Sequence, residues 1–169
     1  MYNVLYFSTI LISPSYSRTI LGIHTGGVWK GTAEQLAAHV RPMFKHLIHA
    51  AFDAQLKVAV VTFSSQVRLI EKVLERLFPE FYDLIPIRGR DYSWRYEGSG
   101  AKDGKQSYMA SAVQELEARF PDVDISKKTT LLIDDDANNV RIALREGVRA
   151  IWLNPNNSIK LLHDMQHLV

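Results

Sequence analysis

The run "KKTTLLIDDDANNVRIALREGVRAIWLNP", Lys127 to Pro155, decides how this chain is read. An apolar stretch, Thr129 to Ile133, breaks into three consecutive aspartates, Asp134, Asp135 and Asp136. Asn139 follows where a helical pattern opens, and a second aliphatic run, Arg149 to Leu153, comes after it. Strand, acids, helix, strand is the order of a βαβ unit, whose strands lie parallel and whose ligands gather outside the strands' carboxyl ends. Adjacent carboxylates at such an end meet the needs of a hard cation such as Mg²⁺, which takes oxygen ligands. An acid there also caps the following helix and complements its dipole. Three acids exceed what one cap requires, so this strand end is read as a metal site.

Three more apolar runs lie upstream: Val4 to Ile12, Lys57 to Thr62 and Leu84 to Ile87. Their near-continuous hydrophobicity marks strands covered on both faces, and helical patterns alternate with them. "TAEQLAAHV" predicts a short helix, and Pro42 suits the first turn of a second one that runs to Asp53. On that second helix Lys45, His46, His49 and Asp53 form a solvated face opposite Met43, Phe44, Leu47, Ile48 and Ala51. Ser64 or Ser65 is placed to cap a third helix, with Val67, Ile70, Leu74 and Leu77 at helical spacing. Further helices are expected over Lys105 to Phe120, over Ala137 to Glu146 and from Ser158 onward. Arg88 to Gly104 has no sustained period and reads as a long loop. The fold class is therefore α/β: a three-layer α/β/α sandwich on a Rossmann-like parallel five-stranded sheet, within a single domain, 1–169.

Composition narrows the chemistry. With 47% apolar residues the chain fills a core without staples. Its lack of cysteine excludes disulfides and thiolate-bound zinc. A net charge of +2, from 20 basic and 18 acidic residues, is too balanced to imply a nucleic-acid or membrane surface by itself. The longest apolar run is about half a bilayer span, and no basic residue precedes it, so the chain is read as cytoplasmic and not membrane-bound.

Three stretches together give the chain a likeness to a known family. "LLIDDDANN" ends a strand in Asp134 and Asp135 with Asn139 beyond; "KVAVVTFSS" ends a strand in Thr62; "DGKQSYMASAV" puts Lys105 at a helix start, with Lys102 as a fallback. In this order they resemble the motifs of the haloacid dehalogenase-like (HAD) superfamily of phosphohydrolases, over nearly the whole chain. The resemblance implies the sheet order 5-4-1-2-3. It also implies a phosphate held by Thr62 and Lys105, and Mg²⁺ held by Asp134, Asp135 and Asn139. Phosphoryl oxygens and carboxylates repel one another unless a cation and a lysine neutralise them, and a threonine hydroxyl adds a neutral donor.

The family's first motif, Asp-x-Asp-x-Thr after the first strand, supplies the nucleophile and then the general acid and base. Here "SYSRT" stands in its place: Ser15 and Ser17 occupy the two acid positions and Thr19 is retained. A serine needs a neighbouring base to attack, and "SPSYSRTIL" holds none. An alcohol has no pKa suited to proton exchange near neutral pH, and one anionic metal ligand is lost, which weakens Mg²⁺ binding. Three readings follow, in order. The chain is a phosphatase-like pseudoenzyme, a Mg²⁺-dependent scaffold that binds phosphate or a partner with catalysis impaired. It belongs to an active phosphatase line whose N-terminal segment is aberrant here. Or "GIHTGG" (Gly22 to Gly27) is a different phosphate cradle with His24 as base.

No stretch between the motifs is long enough for a large cap domain, so the cleft is expected to be open to a phosphorylated ligand, a macromolecular one included. In the long loop Arg88, Arg90, Tyr92, Trp94, Arg95 and Tyr96 mix cations with stacking surfaces. They suit contact with nucleic acid or a phosphopeptide, but the preferred reading is a solvated loop packed by its own aromatics.

Overall fold

The computed structural model describes residues 8–13, 20–21, 28–99, 103–154, 156–157 and 160–161. Five parallel strands make one sheet: β1 (Thr9–Ser13), β2 (Lys57–Val61), β3 (Ile87–Arg88), β4 (Thr130–Asp134) and β5 (Arg149–Trp152). Their spatial order is β3-β2-β1-β4-β5, the expected 5-4-1-2-3 seen from the other edge. Helices α1 (Ala33–Ala38), α2 (Pro42–Asp53), α3 (Val67–Leu77), α4 (Gln106–Arg119) and α5 (Ala137–Arg145) connect them. No inserted cap domain interrupts the strands and helices among the described residues. Nor is any helix there long and apolar enough to cross a membrane.

The strands are apolar throughout because both sheet faces are covered, and the pleat sends alternate residues to opposite cores. Ile10 and Ile12 of β1, with Val58 and Val60 of β2 and Leu131 and Ile133 of β4, face the layer of α1, α2 and α3. Leu11, Ala59, Val61 and Leu132 face Met109, Ala112 and Leu116 of α4 and Ala143 of α5. Each fully buried aliphatic side chain contributes about 1.5–3 kcal/mol.

Local sequence sets most element ends. Thr32 caps α1 by accepting from the Gln35 amide, and the Gln35 side-chain oxygen accepts from the Thr32 amide, a closed capping box. Pro42 opens α2 as expected. Ser64 falls short of the predicted capping position: its hydroxyl accepts from the Gln66 amide, and α3 begins only at Val67. The run Leu84 to Ile87 also departs from expectation. Leu84 ends a short 3-10 turn (Tyr82–Leu84), and pairing starts beyond Pro86, whose carbonyl accepts from the Val60 amide at 2.9 Å. Proline has no N–H to give a ladder, so β3 is confined to Ile87–Arg88, at the edge. Of the expected last helix, Lys160 and Leu161 are described and helical.

The ladder places the strand tips. Thr9 pairs with Thr130 and the register runs on to Ser13 opposite Asp134. Ile12 pairs with Val60 on the other side, so Thr62 stands just past the end of β2 at the same carboxyl edge.

Candidate functional site

Asp134 is the last residue of β4 and is wholly buried. One carboxylate oxygen, Oδ1, accepts from the Asp136 amide at 2.9 Å, as a chain turning out of a strand into a helix allows. The other, Oδ2, lies 3.3 Å from Lys105 Nζ, and both side chains are completely shielded from water. Burying two charges costs several kcal/mol per ion, offset only by close pairing and further hydrogen bonds. Burial pulls the Lys105 ammonium below the ordinary lysine range, while the charges of Asp134, Asp135 and Asp136 pull it back up.

Lys105 reaches this place because of the glycine before it. Gly104 adopts φ +56°, and a Cβ there would stand 3.1 Å from Ile142 Cδ1 and 3.2 Å from Asn139 Oδ1. A side chain at 104 would therefore push the start of α4 away from α5. Lys105 is the residue immediately before α4, the helix start the sequence indicated.

The three aspartates divide their labour. Asp136 is the cap of α5, its Oδ1 accepting from the Asn138 amide at 2.8 Å. Asp135 is half-buried, and its carbonyl accepts the Trp152 indole N–H at 2.9 Å, which ties the turn to β5. Asn139, on the first turn of α5, is buried, and its Nδ2 has no hydrogen-bond partner among the described atoms. Asp134, Asp135 and the Asn139 carbonyl are all oxygen donors, the right kind for Mg²⁺. Among the described residues no three His, Cys, Asp or Glu side chains are grouped to hold a metal. Mg²⁺ commonly makes do with one or two carboxylates, keeping several waters and a substrate phosphate, so this donor set fits it in kind.

Thr62 is fully buried. Its amide donates to the Arg88 carbonyl at 2.8 Å, and its Oγ1 accepts from the Ser64 amide at 3.1 Å, which orients the hydroxyl. The next residue, Phe63, carries the connection onward: its ring centre lies 5.0 Å from Lys105 Nζ. The structure thus joins Lys105 directly to Asp134; Thr62 stands just past the end of β2 at the same edge of the sheet. Ser15, Ser17 and Thr19, the fallback Lys102, and the Gly22 to Gly27 turn with His24 lie outside the described residues. What is described of the first motif's surroundings is the ladder position of Ser13, beside Asp134.

The long loop is not one contact surface. Arg88 turns inward, donating to Ser111 Oγ at 2.9 Å and pairing with Glu115 of α4. Tyr96 lines a separate pocket with Gln106, Met109 and Val113. Arg90, Tyr92 and Trp94 instead line one cleft together with Gly89 and Tyr108. Sequence reasoning missed Phe63 and Tyr108, and for Phe63 a signal was present: it directly follows the strand-ending Thr62.

No protein-family model matches the chain, and no curated protein matches it. Solved structures do share its fold. An uncharacterized protein from Corynebacterium glutamicum is 15% identical with a TM-score of 0.54, over 92% of this chain and 92% of that one. An uncharacterized protein from Listeria monocytogenes serotype 4b is 14% identical with a TM-score of 0.54, over 88% of this chain and 79% of that one. At such identities the likeness is one of fold, a Rossmann-like parallel α/β sheet.

Proposed function

We propose that this chain is a HAD-like phosphohydrolase scaffold that binds a phosphorylated ligand and Mg²⁺, with hydrolysis impaired. The observation that carries the reading is the wholly buried Lys105–Asp134 pair at the tip of β4, beside the end of β1. Apolar side chains of similar volume would hold the fold at least as well, so the retained charges point to a charged ligand. In this reading Lys105 neutralises the phosphate, and the Thr62 hydroxyl, oriented by the Ser64 amide, donates to it. Asp134, Asp135 and Asn139 hold Mg²⁺, which when bound supplies charge neutralisation.

The impairment is the same for two ways of laying the first motif on the chain. Counted from Ser15, the acid positions are Ser15 and Ser17; counted from Ser13, the residue paired with Asp134, they are Ser13 and Ser15. Either way both carboxylates are hydroxyls, and losing nucleophile and acid together lowers turnover by many powers of ten.

The test is turnover of p-nitrophenyl phosphate with Mg²⁺, alongside calorimetry of Mg²⁺ and of inorganic phosphate. The expected outcome is binding without turnover in the parent, and turnover gained in Ser15→Asp/Ser17→Asp or Ser13→Asp/Ser15→Asp. Mg²⁺-dependent turnover by the parent that Asp135→Ala abolishes would show an active phosphatase instead. Absence of both binding signals would leave a partner-binding module without a phosphate site.

A further inference from the structure

Beside the strand tips lies a cleft of 350 Å³ lined by Gly89, Arg90, Tyr92, Trp94 and Tyr108. That volume is within the range of small-molecule sites, about 300–1,000 Å³. Its rings are locked edge to face. Trp94 and Tyr108 have centres 4.6 Å apart at 63°, and Tyr108 meets Phe63 at 5.4 Å and 83°. Phe63 stands behind this lining: the Arg90 guanidinium lies 4.6 Å from its centre, and Lys105 Nζ lies 5.0 Å from it. The ring therefore separates the cleft's lining from the buried ion pair.

The cleft is also held open by the backbone. The Trp94 indole donates to the Gly89 carbonyl at 2.8 Å, and the Arg90 amide donates to the Ser64 carbonyl at 2.8 Å. Gly89 is obligatory, because a Cβ would come within 2.4 Å of Val67 Cγ2 and 2.6 Å of the Ser64 carbonyl oxygen. Tyr92 completes the picture. It has φ +62°, a conformation that non-glycine residues seldom adopt, and it is 96% exposed. Core packing accounts for neither its backbone nor its exposed ring. An exposed ring on such a backbone is a ready stacking surface for a planar ligand.

We propose that this cleft seats the base of a mononucleotide whose phosphate is met by Arg90. Rings stack on any base, and a guanidinium attracts phosphate. A cleft of this size exceeds the needs of one phenyl ring, which favours a nucleotide over a phosphotyrosine peptide.

The test titrates AMP, inorganic phosphate, adenosine, O-phosphotyrosine and a short oligothymidylate into the full chain, reading tryptophan fluorescence and calorimetry. AMP is expected to bind at least about 10-fold more tightly than inorganic phosphate. Trp94→Ala and Tyr92→Ala should each weaken AMP about 10-fold, as loss of one stacking surface does, and leave inorganic phosphate unchanged. Tyr92 is solvent-exposed, so its variant keeps the fold if Trp94→Ala does not. AMP binding no tighter than inorganic phosphate, or O-phosphotyrosine or the oligonucleotide binding tighter than AMP, overturns the nucleotide proposal and spares the phosphate site. If neither AMP nor phosphate binds, the phosphate reading fails. The cleft is then judged on adenosine: binding that Trp94→Ala removes supports a base seat, and no binding overturns it.

Discussion

Two ion pairs leave the turn before α4 in opposite directions. Asp103 meets Arg145 at 3.1 Å, with side chains 70% and 50% exposed. Lys105 meets Asp134 at 3.3 Å with both side chains at 0%. The distances are nearly equal and the media are not. Water and salt screen the first pair, which joins the turn before α4 to the end of α5 and little more. The second has no water to fall back on, so each charge is held by the other, and removing one strands its partner. Proximity alone does not rank an interaction; what surrounds it does.

The largest way to break this contrast is Lys105→Met, which leaves Asp134 charged and buried. Urea unfolding should show a loss of about 3–5 kcal/mol; a loss within error would mean that Asp134 does not depend on Lys105. Gly104→Ala comes next, since it forces a side chain into left-handed backbone against Ile142 and Asn139. About 1–2 kcal/mol should be lost by the same measurement, and Lys105 should be shifted with it. A smaller change is expected from Lys105→Met/Asp134→Leu, which replaces the pair by apolar groups and should unfold within about 1 kcal/mol of the parent. A double variant as unstable as the sum of the singles would show that the two residues do not act as a unit. Arg145→Ala should leave the unfolding midpoint where it was, and a clear shift would put the surface pair on the same footing as the buried one.

The sheet was legible because burial on both faces leaves an unmistakable mark. "KVAVVT" and "TTLLI" contain too little polarity to lie anywhere but inside, and the observed strands Lys57–Val61 and Thr130–Asp134 match those runs within a residue. "LIPI" misled because its apolarity comes from packing: Ile85 is buried beside the sheet, while Pro86 delays pairing to Ile87. At the site, Lys105 and Asp134 were readable from their places at a helix start and a strand end. Phe63 and Tyr108 were not read, because a lone aromatic has no period and its role depends on which neighbours the fold brings to it. Likewise Arg88 and Arg90 look equivalent in sequence. Arg88 still belongs to the edge strand and turns to Glu115, whereas Arg90, two residues on and past the strand's end, lies over Phe63.

The central position of β1 has a bearing on how the chain is made. Its companion on one side arrives very late: the Ser8 and Thr129 hydroxyls that meet at 2.8 Å are 121 residues apart. During translation β1 emerges long before β4, and it must wait with one edge bare while α1 to α4 are synthesised. Closing so long a span is entropically costly and slow. A nascent chain of this topology therefore passes through a prolonged interval in which its future centre is exposed to other chains, the interval in which chaperones guard against aggregation.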